Sequence, residues 1–215
     1  MKVNTLKRFT CVVALIACFI PMLSVHAKNN EETPRVGYIY LGDSRFVGMN
    51  KFIHMDEMDD TFVVAKVGQG LSWLKKTAIK DINLIMATEK DIDEWVIITG
   101  LGVNDLGNID KYIDYYDSLE DVTLILVSVN PVNKTKCDKY GYDYSGLSKG
   151  MQTFNKKLQE TDYEYIDTYT ELFDNGFSTV DGVHYTESTY IQIYDIIEEY
   201  LDSRSESDIL DETKK

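Results

Sequence analysis

Five short apolar runs alternate with stretches of helical spacing along this chain, and that alternation narrows the fold more than any single residue does. The runs cover residues 35–41, 61–67, 94–99, 122–129 and 163–166, and their β-branched and aromatic content reads as strand. Between them the apolar residues recur at helical intervals: Leu71, Leu74 and Ala78, then stretches 81–90, 109–119 and 147–160. The last helix starts after Thr186 and carries Tyr190, Ile193, Tyr194, Ile197 and Leu201 on one stripe. Residues 46–58 read as a short helix and then a loop, and a polar loop bearing Tyr140, Tyr142 and Tyr144 precedes the 147–160 helix. Strands that alternate with helices pair in parallel through right-handed crossovers. The expected fold is therefore α/β, a three-layer, flavodoxin-like arrangement around a mostly parallel five-stranded sheet. Run 122–129 is the most apolar of the five after the N-terminal segment and belongs mid-sheet, covered on both faces.

A parallel sheet gathers the loops that follow its strands along one edge, where ligands bind. Ser44, Gly70 and Asn104 each follow one of the first three strands, and His184 lies in the loop after the fifth, so residues far apart in sequence can meet. Their chemistry is complementary. A serine hydroxyl needs a base to become a nucleophile, and histidine supplies one. Asp181, three residues before His184 with Gly182 between them, can orient the ring and offset its charge. The tetrahedral intermediate needs donors for its oxyanion, which the backbone N–H groups of Ser44 and Gly70 and the side-chain amide of Asn104 can provide. Asp43 and Asp105 read as braces for their loops. Taken singly, each block also reads as an ordinary turn or helix cap.

The set resembles the SGNH hydrolases, also called GDSL esterases and lipases. Gly42-Asp43-Ser44 is similar to the family's first block, Gly70 to its second-block glycine, Gly102-Val103-Asn104-Asp105 to its third, and Asp181-Gly182-Val183-His184 to its last. Order and spacing match from residue 36 to about residue 200. Two departures stand out. Arg45 replaces the leucine of the family's name, which implies an altered acyl or leaving-group pocket, and the loose second block leaves Gly68 as a rival to Gly70. The resemblance implies an SGNH hydrolase domain over residues 35–202, a triad of Ser44, His184 and Asp181, and small ester substrates.

The rest of the chain bounds the setting. Lys2, Lys7 and Arg8 precede an apolar stretch, and Val25-His26-Ala27 makes a cleavage site, so residues 1–27 read as a signal peptide followed by a flexible lead-in over 28–34. A lipoprotein box ending at Cys18 and an uncleaved anchor are the alternatives. Cleavage removes those three cations and no acid, so the net charge of −14 becomes −17, which repels nucleic acid and anionic membranes. No stable membrane insertion of the mature chain is expected. The mature chain keeps one cysteine, Cys137, and two histidines, His54 and His184. It can form no intrachain disulfide, and neither a histidine-rich metal site nor a cofactor is expected. Gly100-Leu101-Gly102 fails as a dinucleotide fingerprint because Asp105 occupies its third glycine position. His54 lacks a motif, and Cys137 sits among Lys134, Lys136 and Lys139 as an incidental thiol. Residues 203–215 read as a polar, disordered tail.

The expected function is a secreted serine esterase that hydrolyses small acyl groups, with O-acetyl groups on polysaccharide as the favoured substrate, and with Arg45, Tyr140, Tyr142 and Tyr144 as substrate contacts. An acyltransferase using the same triad and a catalytically silent carbohydrate-binding module are the alternatives.

Overall fold

The architecture comes from a computed structural model, which describes residues 34–212. The segments expected as signal peptide, residues 1–27, and as lead-in, apart from its last residue, fall outside the described residues. Five strands form one parallel sheet in the order β2-β1-β3-β4-β5. They are β1 (Val36–Gly42), β2 (Thr61–Ala65), β3 (Glu94–Thr99), β4 (Thr123–Val127) and β5 (Glu164–Ile166). The order steps outward from β1 in both directions, so the chain reverses its winding between β1 and β3. Such a switch point opens a crevice beyond the strands' C-terminal ends.

Alternation along the strands divides the core in two. Ile39, Leu41, Ile97, Leu124 and Leu126 face one layer of helices, while Tyr40, Val96, Ile98, Ile125 and Val127 face the other. The first layer contains α2 (Leu71–Trp73), α3 (Ile79–Thr88), α4 (Ile109–Tyr116), α5 (Lys134–Tyr140) and α6 (Tyr144–Gln159). It packs through Leu74, Ala78, Ile82, Tyr112, Tyr116, Met151, Phe154 and Leu158. The second contains α1 (Ser44–Ile53), α7 (Thr168–Asn175) and α8 (Glu187–Glu212), and it packs through Phe46, Met49, Leu172, Tyr190, Ile193, Ile197 and Leu201. These are the three layers read from the sequence. Buried on both faces, β4 lies inside the sheet as expected.

Several helices depart from the sequence reading. The stretches at 71–78 and 81–90 are consecutive, α2 passing into α3 through a π-helical turn at Leu74–Ala78. Much of the polar loop before α6 is α5, whose N-cap Asn133 accepts the Lys136 N–H at 3.0 Å and whose C-cap is Gly141. The short α7, capped by Asp167, had no periodic signal long enough to predict. The tail expected from Ser203 continues as helix to Glu212. Arg204 explains the first extra turn: it lies 3.2 Å from Glu164 on β5 and 3.3 Å from Glu94 on β3, tying α8 to the sheet.

Candidate active site

β1 ends at Gly42, and α1 begins two residues later at Ser44. Asp43 makes the turn abrupt. Its backbone is extended, and its carboxylate accepts the N–H of Arg45 at 2.9 Å, satisfying one donor of the first helical turn. Ser44 thus occupies the first helical position at the sheet's edge, where its own N–H has no partner within the helix. Asp43 is fully buried; burial pushes its carboxyl up, against the opposing pull of the Arg45 charge and N–H.

Far along the chain, an antiparallel bridge between Thr179 and Tyr185 closes a tight loop. Inside it, one oxygen of Asp181 accepts the amides of Val183 and His184 at 2.9 and 2.8 Å. The other lies 2.7 Å from His184 Nδ1. His184 Nε2 in turn lies 2.9 Å from Ser44 Oγ. An ionised carboxylate can only accept, so on a neutral ring the proton sits at Nδ1 and Nε2 is left to accept the Ser44 hydroxyl. Burial works to raise the Asp181 pKa, but the His184 amide and ring and the Val183 amide outweigh it and hold the group at about 2. The acid is therefore ionised at neutral pH.

The loop is held from outside by α5. Gly182 adopts φ +106° with its ideal Cβ position only 2.6 Å from Cys137 N, so a side chain would strain the turn and strike α5. Asn133 N–H donates to the Gly182 carbonyl at 2.9 Å, and Lys136 Nζ donates to that of Thr179. Cys137 itself is buried, and burial pushes its thiol up. His54 sits elsewhere, closing α1 in a left-handed conformation 3.4 Å from Glu57.

Two further loops meet at the same edge. Gly70 is the N-cap of α2, and the amide of the next residue, Leu71, donates to Asp105 at 2.9 Å. Asp105 also accepts the buried Tyr112 hydroxyl at 2.7 Å, so it braces the second loop from the third, as the sequence suggested. Asn104 Nδ2 donates to the Gln69 carbonyl at 2.8 Å, which spends one of its two amide hydrogens and leaves the other. Gly68, the rival donor, is exposed and at φ +71°.

Of the expected substrate contacts, Tyr140 and Tyr142 are exposed, and the neighbouring Asp181 charge, ahead of burial, pushes the Tyr142 hydroxyl up. Tyr144 is half-buried, packed on the core beneath Lys134. Arg45 points inward. It is only 5% exposed, donates from Nη1 to the Asn130 carbonyl at 3.0 Å, and lies over the Tyr185 ring.

Sequence reasoning missed a second tier of supports at the exit of β4. Asn155 on α6 receives the Val129 N–H at 2.7 Å and donates to the Val129 carbonyl at 3.1 Å. Thr168 donates to Asn130 at 2.5 Å and lies 2.9 Å from Ser128 Oγ. The Tyr185 hydroxyl donates to the Pro131 carbonyl at 2.6 Å. Asn155 alone left a trace, as a polar residue among the apolar positions Met151, Phe154 and Leu158.

No family sequence model matches the chain, and no curated protein matches it by sequence. Solved structures do match its fold. A member of the lipolytic G-D-S-L family from Veillonella parvula superposes with a TM-score of 0.55 at 18% identity, covering 76% of this chain and 97% of its own. The C-terminal catalytic domain of Streptococcus pneumoniae peptidoglycan O-acetyltransferase A, solved with a methylsulfonyl adduct, gives 0.54 at 20%, covering 81% and 97%. A carbohydrate acetylesterase family member from Sinorhizobium meliloti gives 0.50 at 13%, covering 78% and 97%. With the sheet order, the layers and these likenesses in agreement, the chain has the fold of the SGNH, or GDSL, hydrolases.

Proposed function

We propose that this protein is an exported serine esterase that removes small acyl groups, O-acetyl above all, from carbohydrate. The observation that carries the reading is the continuous hydrogen-bonded line from Ser44 Oγ through His184 to Asp181. Ser44 Oγ attacks the ester carbonyl carbon while its proton passes to His184 Nε2. The carbonyl oxygen becomes an oxyanion facing the amides of Ser44 and Gly70 and the free hydrogen of Asn104 Nδ2. Collapse expels the alcohol, which takes the proton from His184, and leaves an acyl-serine. Water then attacks under the same base, and the carboxylic acid departs.

The substrate class rests on exposure and on the company the fold keeps. The His184 and Asp181 side chains are 38% and 22% exposed, so an ester on a bulky polymer can approach. The exposed ring of Tyr142 beside Asp181 offers a face on which a sugar can stack. Structural neighbours named for carbohydrate acetylesters and peptidoglycan O-acetyl transfer favour the acetyl group. The second of these names also favours a transferase reading, in which an acceptor hydroxyl replaces water. Export rests on the N-terminal signal and the acidic mature chain.

The test is hydrolysis of acetyl to dodecanoyl nitrophenyl esters and of acetylated polysaccharide by purified residues 28–215, with acceptor sugars added in a parallel set. The reading predicts preference for acetyl and release of free acetate. Acetyl transfer to the acceptor at the expense of acetate supports the transferase, and a folded protein inert on every ester contradicts both.

A further inference from the structure

Arg45 follows the nucleophile, yet its side chain turns away from solvent into the layer beneath it. Nη1 has its partner in the Asn130 carbonyl, but Nε and Nη2 are buried with no hydrogen-bond partner among the described residues. A guanidinium carries five N–H donors, and burying several of them dry is unfavourable. A cavity adjoins it, lined by Arg45, Ser128 and Asn130 on the polar side and by Phe46, Met49 and Tyr190 on the apolar side. Its volume is about 10 Å³, about what one water requires.

Size decides the occupant. The cavity has room for one water-sized molecule, and apart from the guanidinium its lining carries no charge, so it suits a single small acceptor. We propose that it holds one ordered water molecule that accepts from Arg45 Nε or Nη2 and bonds to the polar groups of Ser128 and Asn130, making Arg45 a positioning residue for the nucleophile.

The geometry gives that water a consequence. Arg45 follows Ser44, and the Tyr185 ring it covers at 5.3 Å follows His184. The Tyr185 hydroxyl and Arg45 Nη1 bind the successive carbonyls of Pro131 and Asn130. Nucleophile and base are thus registered through one buried cluster, which sets the 2.9 Å between Ser44 Oγ and His184 Nε2. This second part rests on the proposed esterase; the water does not.

The test is a crystal structure of the wild-type protein at atomic resolution, from chloride-free buffer and again after a bromide soak. One well-occupied water within hydrogen-bonding distance of Arg45 Nε or Nη2, and no anomalous bromide peak there, is the expected result. An empty cavity or a bromide peak overturns the water site. Positioning is tested with Arg45→Leu and Arg45→Lys, each checked for folding by circular dichroism. Both are expected to lower kcat about tenfold at unchanged KM, since misplacement of reacting groups acts on the transition state. Unchanged kcat, or a raised KM alone, overturns the role. Should the leucine variant not fold or the wild type lack ester turnover, the crystal structure of Arg45→Lys decides. A Ser44–His184 separation beyond hydrogen-bonding range supports positioning, and an unchanged one refutes it.

Discussion

A methyl group added at Gly70 meets the Asp105 carboxylate at 2.5 to 2.6 Å from all three of its terminal atoms. Ordinary contact requires those atoms to retreat by roughly 1 Å. The carboxylate cannot retreat freely, because it holds the Leu71 amide at 2.9 Å and the buried Tyr112 hydroxyl at 2.7 Å. Each bond to a charged group is worth about 1.5–3 kcal/mol, and partial relaxation leaves a net loss of about 2–4 kcal/mol for Gly70→Ala. For a domain of this size that lowers Tm by about 5–15 °C. The second effect is chemical. If the displaced loop carries an oxyanion donor at the Gly70 amide, kcat falls about a hundredfold with little change in KM. Gly68→Ala is the control, since nothing lies within 4 Å of its ideal Cβ and only its φ of +71° resists the change. It is expected to cost about 1 kcal/mol of stability and leave kcat near the parent's. Thermal melts and ester kinetics below the lower Tm read both effects. A normal kcat in Gly70→Ala with an inactive Gly68→Ala refutes the assignment and moves the donor to Gly68.

Asp181→Asn places a donor where His184 Nδ1 needs an acceptor, which favours the wrong tautomer and lowers kcat about ten-thousandfold. The same variant tests linkage. The Asp181 pKa is held at about 2 against an ordinary 3.8, so its stabilisation is full above pH 3.8 and lost as pH falls toward 2. Discounted for solvent screening it amounts to about 1–2 kcal/mol, and urea melts of the variant should show a flatter acid limb over that window; an identical limb contradicts the cause given. Tyr142→Phe keeps the exposed ring and should preserve KM for acetylated polysaccharide, whereas Tyr142→Ala should raise it about three- to tenfold; equal losses in both contradict a stacking role. Asn155→Leu strands the amide and carbonyl of Val129 and should cost about 2–4 kcal/mol, seen as a lower Tm; an unchanged Tm contradicts the clamp.

The legible part of this molecule was what repeats or what chemistry demands. Period and composition placed all five strands, and a parallel sheet then required the loops bearing Ser44, Gly70 and Asn104 to share an edge. The pairing of Ser44 with His184, across 140 positions, followed from residue type and from placement after strands. What stayed hidden depends on packing. Helix α5 is only seven residues long and polar, so neither length nor periodicity announced it, yet the amide of its N-cap Asn133 and the side chain of Lys136 brace the loop that carries Asp181 and His184. The charged residues after Ser203 read as a tail because nothing local shows Glu94 and Glu164 waiting for Arg204. Arg45 read as a pocket residue from its position beside the serine; its inward direction is set by Tyr185 and Asn130, which come from distant segments.

The central claim is that Ser44 is a nucleophile activated by His184. Its most direct test is intact-mass analysis after treatment with a sulfonyl fluoride, followed by peptide mapping. The account predicts a single stoichiometric adduct on Ser44 in the wild type, none in Ser44→Ala, and labelling slowed at least about a thousandfold in His184→Ala. An adduct that persists in Ser44→Ala, or labelling of Ser44 that is indifferent to the loss of His184, contradicts it.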